Sequence, residues 1–240
     1  MREIFIADHS KKHRGIHLSI IALGCILMYL LDARFSLDYA SRSGYKILLF
    51  LLLPMAYALF VPGFDLFSVF RGSGKKGGFG TPLLLGILVY VLMLGVYVLI
   101  KGFLDLGQIE QALSENMLVT KDNFVLIALY ISLVNSLLEE FFFRGFAFLK
   151  LWKRTGRIFA YGVSAFAFSI YHLSMVKGWT NPLITFLGLL GLFLAGIFFN
   201  ILNERKGNIY NSYMVHMFAN FAINTIGLQM YGIINLPFLG

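Results

Sequence analysis

Seven stretches without a single Asp, Glu, Lys or Arg divide the chain: Gly15–Leu31, Ile47–Phe64, Gly77–Ile100, Asn123–Leu138, Ile158–Val176, Gly178–Asn203 and Gly207–Gly240. They are 16 to 34 residues long, and about 20 predominantly apolar residues suffice for one helix to cross the hydrocarbon core of a bilayer. The pattern predicts an all-α fold, a polytopic transmembrane helix bundle of about seven spans. The last stretch leaves room for a short eighth element around Leu228–Phe238, where Pro237 favours a half-span or an interfacial piece. Lys11, Lys12 and Arg14 precede the first stretch as in a signal peptide. No small-residue cleavage site follows it before further spans begin, so it reads as the first helix rather than a removed leader. Asp105–Asn123 has the makings of a short amphipathic helix. With no repeat and no shift of composition, residues 1–240 read as one integral membrane domain, with a polar-motif core at about 123–226.

Composition agrees. Of 240 residues, 58% are hydrophobic and 13% charged, against roughly 45–50% and about 25% in soluble domains. The 20 Lys and Arg residues outnumber the 12 acids, for a formal charge of +8. With the N-terminus inside, thirteen basic residues fall in cytoplasmic segments and six outside, Arg42 and Lys46 among the six. Basic loops facing anionic lipid account for the excess, so no nucleic-acid partner is expected. The lone Cys25 rules out an intramolecular disulfide. Gly72, Gly74 and Gly77 match GxGxxG, but the phosphate-cradling version of that motif follows a strand and opens a helix. Here it joins two spans and reads as a flexible linker.

Ionisable groups within a span are functional candidates by default, and three segments carry them. In Leu137–Gly145, Glu140 and Arg144 stand four apart, in the order that favours pairing on one helix face. Glu139 lies about 100° further round and lacks a basic partner on its helix, with Asn135 and Ser136 one turn back. The bland alternative is a helix-end salt bridge with a Glu reaching water. In Phe168–His172, the histidine alone would pass for a hydrogen-bonded core residue. In the last stretch, Asn208, Ser212, His216, Asn220 and Asn224 recur every four residues. That spacing lays a polar stripe along one helix face, which must turn towards the bundle interior or a wet cavity; a polar helix–helix seam would also satisfy it, and His216 favours a site.

Taken in order, Glu-Glu-x-x-x-Arg, Phe-x-x-x-His and His-x-x-x-Asn resemble the CPBP family of intramembrane proteases. This is the family of the CAAX prenyl endopeptidase Rce1 and of bacterial relatives linked to bacteriocin processing and self-immunity. The resemblance runs from Leu137 to Asn224 and extends to the Gly-rich sixth stretch with Gly188, Gly191 and Gly196. It implies a helical membrane endopeptidase with catalytic-site residues Glu139, Glu140, Arg144, His172, His216 and Asn220. In those terms Glu139 is the base and His172 helps to hold the water. His216 and Asn220 stabilise the oxyanion, and Glu140 with Arg144 holds the motif helix in place. The Rce1 fold has eight spans, one more than the sequence here predicts.

Two His and one or two Glu could ligate zinc, but there is no HExxH to put two ligands and a base on one helix. The resemblance implies a metal-free glutamate mechanism, so no cofactor is expected. The rhomboid-type GxSG is missing, since Gly162-Val163-Ser164-Ala165 departs at its last position, and every Asp lies in a loop or at a span end. The expected partners are a peptide or membrane-protein substrate and the lipid bilayer. The expected location is the bacterial cytoplasmic membrane, with the N-terminus cytoplasmic. Two other function classes compete: a non-proteolytic immunity or scaffold protein, and an ion-coupled transporter using Glu139, His172 and His216 as a relay. The paired repeats common in transporters are missing. One geometric tension stands. At about 1.5 Å rise per residue, His216 lies about 12 Å from Asn208, whereas His172 lies roughly 21 Å from Ile158.

Overall fold

A computed structural model describes residues 2–35, 37–72, 78, 80–176 and 182–239, with the side chains of 2–12 and 116 left aside. Lys177 and the linker glycines Gly74 and Gly77 lie outside the described residues. The principal helices are α1 (Arg2–Arg34), α2 (Tyr39–Phe60), α3 (Gly80–Ile100), α4 (Leu106–Met117), α5 (Lys121–Thr155), α6 (Arg157–Tyr171), α7 (Pro182–Glu204) and α8 (Tyr210–Met230). Single turns at Ser68–Arg71 and Leu173–Val176 follow α2 and α6. The bundle is all-helical among the described residues, as the charge-free stretches predict. Leu106–Met117 is the short helix expected in the polar connection.

Among the described residues, six helical segments are long and apolar enough to cross a membrane: His13–Arg34, Tyr39–Phe60, Gly80–Phe103, Lys121–Thr155, Arg157–Val176 and Pro182–Glu204. The seventh expected span is α8. It forms over 21 residues, but its polar stripe keeps it out of the apolar set. The short eighth element is corrected: beyond Met230 the described chain forms turns, not a helix. Those turns pack back on the bundle. Leu236 donates its amide to Gln229 Oε1 at 2.7 Å, and Tyr231 donates its hydroxyl to the Val119 carbonyl at 3.2 Å.

The core is aromatic. Phe50 on α2 stacks on Phe142 on α5 at 4.1 Å between centroids, and meets Phe143 and Tyr171 edge-on. Close approach is set by glycine at a few points. A Cβ on Gly196 would lie 2.9 Å from Ala165 Cα, so this glycine lets α7 close on α6. Gly188 and Gly191 face open space. Gly156, at φ 109°, turns the chain between α5 and α6 through one residue, a backbone state that L side chains rarely adopt.

Helix α5 is not uniform. It widens into π-helical turns at Ile131–Asn135 and Glu140–Lys150 around an α-helical segment, Ser136–Glu139. Such widenings concentrate at functional sites, and here the change of pitch falls between the two adjacent acids.

Candidate active site

The polar stripe of α8 is zipped onto α5 in antiparallel order. Asn224 donates to Ser132 Oγ and the Ala128 carbonyl, both at 2.9 Å. One turn back, Asn220 donates to Ser136 Oγ at 2.9 Å and the Ile131 carbonyl at 3.3 Å. Ser212 and His216 both reach Glu140. Each member of the α8 series thus meets a member of a four-residue series on α5, at Ala128, Ser132, Ser136 and Glu140. Asn208 stands outside this seam: it accepts from the Tyr210 amide at 3.3 Å, just before α8.

Glu140 is fully buried, and so is Arg144. Their ion pair is 3.3 Å long, which rejects the picture of a salt bridge at a wet helix end. A charge held this deep needs a partner and saturated hydrogen bonds. Glu140 meets that need by accepting from Ser212 Oγ and from His216 Nδ1 at 2.9 Å. The Arg144 guanidinium lies over the Phe168 ring at 3.9 Å and near Phe199 at 4.8 Å, an arrangement in which ring faces attract a cation. Glu140 therefore orients His216 as well as pairing with Arg144, a link between α5 and α8 that motif spacing does not reveal.

His172 caps α6. Its Nδ1 donates to the Phe168 carbonyl at 2.7 Å, because a carbonyl can only accept. That bond assigns the proton to Nδ1 and turns Nε2 inward. The same four-residue offset explains why Phe168 accompanies His172 in the motif: its backbone sets the histidine and its ring covers Arg144.

Glu139 is 2% exposed. Its Oε2 lies 3.8 Å from His172 Nε2 and 3.8 Å from His216 Nε2. Its Oε1 accepts from Asn135 Nδ2 at 3.0 Å and from Lys46 Nζ at 3.1 Å. The two oxygens are thus divided: one is saturated by amide and ammonium, the other faces two imidazoles across gaps too long for direct hydrogen bonds.

Residues 121–222 match the family model described as type II CAAX prenyl endopeptidase Rce1-like. This segment is similar to the Rce1-like family. Neither the curated proteins nor the solved structures provide a match. The Rce1-like segment carries all six residues singled out from the motifs, and with the six apolar helices it makes the chain an integral membrane protein. Glu139, His172 and His216 converge on one carboxylate oxygen. Glu140 and Arg144 form the buried pair beneath. Asn220 is one turn along α8 from His216, with its amide engaged by Ser136 and Ile131. The mismatch of helix depths resolves at Glu139: α6 and α8 enter the bundle at different levels or tilts, because their histidines meet at the same atom.

Sequence reasoning missed Lys46. Counted among outer-loop charges, Lys46 and Arg42 are each only 6% exposed. Arg42 pairs with Asp32 at the end of α1. Among the described residues no three His, Cys, Asp or Glu side chains form a group placed to hold a metal ion.

Proposed function

We propose that the chain is a metal-free intramembrane endopeptidase in which Glu139 activates water against a peptide bond. The carrying observation is that Glu139 Oε2 sits 3.8 Å from both inward histidine nitrogens. In this reading the attacking water sits beside Oε2 and the two nitrogens, since separations of 3.8 Å are too short to seat it between them. Glu139 takes a proton as the water oxygen attacks the scissile carbonyl carbon, and the carbonyl electrons move onto oxygen. His172 Nε2 holds the water by accepting its other hydrogen. His216 keeps its Nδ1–H donated to Glu140 and, carrying a proton on each ring nitrogen, donates from Nε2 to the oxyanion. Asn220 adds a second donor by releasing the longer of its two bonds, that to Ile131. As the intermediate collapses the C–N bond breaks, and the proton held on Glu139 passes to the leaving amine. General-base catalysis of this kind contributes about 10²–10⁴-fold.

The substrate class we assign is a membrane-delivered peptide: a lipidated C-terminus, a peptide leader or a membrane-protein segment. Support comes from the site's enclosure by apolar helices and from the Rce1-like match. We place the chain in a bacterial cytoplasmic membrane with its N-terminus in the cytoplasm, on the distribution of Lys and Arg. The test compares peptide termini by mass spectrometry in cells carrying wild type or Glu139→Gln at matched membrane levels. Termini present only with wild type are expected. Identical profiles, with the mutant still performing its biological role, would overturn the protease reading in favour of an immunity or scaffold protein.

A further inference from the structure

Glu139 could rotate its carboxylate and offer either oxygen to water. Two side chains, Lys46 and Asn135, from two helices decide which. Lys46 on α2 donates to Glu139 Oε1 at 3.1 Å and to Asn135 Oδ1 at 2.5 Å, while Asn135 Nδ2 donates to the same Glu139 Oε1 at 3.0 Å. The three side chains close a ring of hydrogen bonds that saturates Oε1. Because the Asn135 amide donates on one side and accepts on the other, the ring fixes its orientation as well. Only Oε2 is left towards His172 and His216.

Lys46 is itself held. Its side chain is 8% exposed, and its ammonium stands 5.1 Å over the Tyr171 ring, the residue preceding His172. One turn back on α2, Arg42 pairs with Asp32. The second Asp32 oxygen accepts from Ser174, two residues past His172, at 3.1 Å. The corner between α1 and α2 therefore touches the reacting groups twice, at Glu139 through Lys46 and just after His172 through Ser174. All of these corner residues lie outside the matched segment 121–222.

We infer that Lys46 is a positioning residue for hydrolysis, contributed by the N-terminal helices, that anchors Glu139 Oε1 and so presents Oε2 to the attacking water. The role acts through Glu139 and rests on the protease reading. It predicts a loss in the chemical step rather than in substrate binding, since misplacing a reacting group by about 1 Å can cost about 10²-fold.

The experiment uses the full-length protein purified in detergent and a peptide spanning a terminus that only wild type produces in cells. Lys46→Met, which keeps length and removes charge and donors, should lower kcat about 10–100-fold with KM within about twofold. Lys46→Arg, which keeps a cation and donors, should recover most of that loss. Thermal melting separates folding from positioning. Lys46→Met should melt below wild type, and adding Glu139→Gln should restore the melting temperature, because the buried carboxylate then needs no counter-charge. A folded Lys46→Met enzyme with wild-type kcat, or a loss confined to KM, would overturn the inference and leave the protease reading standing. A wild type that generates no terminus and cleaves no peptide would overturn both.

Discussion

His216 Nδ1 lies 2.9 Å from Glu140 Oε1, a contact across 76 residues of sequence that joins the two halves of the site. The same carboxylate pairs with Arg144 and accepts from Ser212. Glu140 is thus a junction for three partners on two helices. Its role is wider than holding one helix in place.

That junction makes a stability prediction. Glu140→Gln leaves Arg144 buried without a counter-charge, and breaking such a pair typically costs about 3–5 kcal/mol. A clear fall in melting temperature in detergent is expected. Glu140→Gln combined with Arg144→Met should regain much of the stability without regaining activity, because His216 has still lost its charged partner. Equal activity in wild type and the double variant would contradict the role given to Glu140.

Asn220→Ala should leave a crippled enzyme rather than a dead one. Removing one oxyanion donor typically lowers kcat about 10²–10³-fold. The measurement is kcat at saturating peptide, and an unchanged value would remove Asn220 from the chemistry and leave it as part of the α5–α8 seam.

Asn224 belongs to the same stripe but bonds Ala128 and Ser132, two turns from His216. Interhelical bonds of this type contribute about 0.6 kcal/mol on average and up to about 1.7. Asn224→Ala should therefore lower the melting temperature slightly and leave kcat unchanged. The contrast between Asn220 and Asn224, one turn apart, separates catalytic donation from helix packing.

Gly196→Val tests the support of His172. Its side chain would press on Ala165, where even a Cβ comes to 2.9 Å, and would push α6 away from α7. Overpacking of this kind typically costs about 1–3 kcal/mol. Activity should fall with the melting temperature, since α6 carries His172 at its end. Gly191→Val, at a position facing open space, should do neither.

The stripe on α8 was legible because its four-residue spacing is a property of one helix, and so was the Glu140–Arg144 pair. The partners of these residues were not. Glu139 and Lys46 stand 93 residues apart, and a lysine near the start of a span looks the same in sequence whether it faces water or turns into the bundle. Arg42 hides for the same reason, with Asp32 supplied by the preceding helix. The seventh expected span, α8, forms without being strongly apolar, because its stretch is free of charge but rich in amides. Where the sequence leaves room for a half-span or an interfacial piece, the chain after Met230 forms turns, for Gly232 at φ 61° and the capture of the Leu236 amide by Gln229 turn it back. Depths counted from the helix ends disagree for His172 and His216 because α6 and α8 enter the bundle at different levels or tilts, yet both histidines reach Glu139.

The most direct test of Glu139 as a metal-free base is single-turnover cleavage in ¹⁸O-labelled water by purified protein pretreated with a strong chelator. The expected result is an undiminished rate and one ¹⁸O in the new C-terminal carboxyl group. Glu139→Gln should be slower by about 10²–10⁴-fold, the usual contribution of a general base. A Glu139→Gln rate equal to wild type, or a wild-type rate lost to the chelator and restored by zinc, would contradict the account.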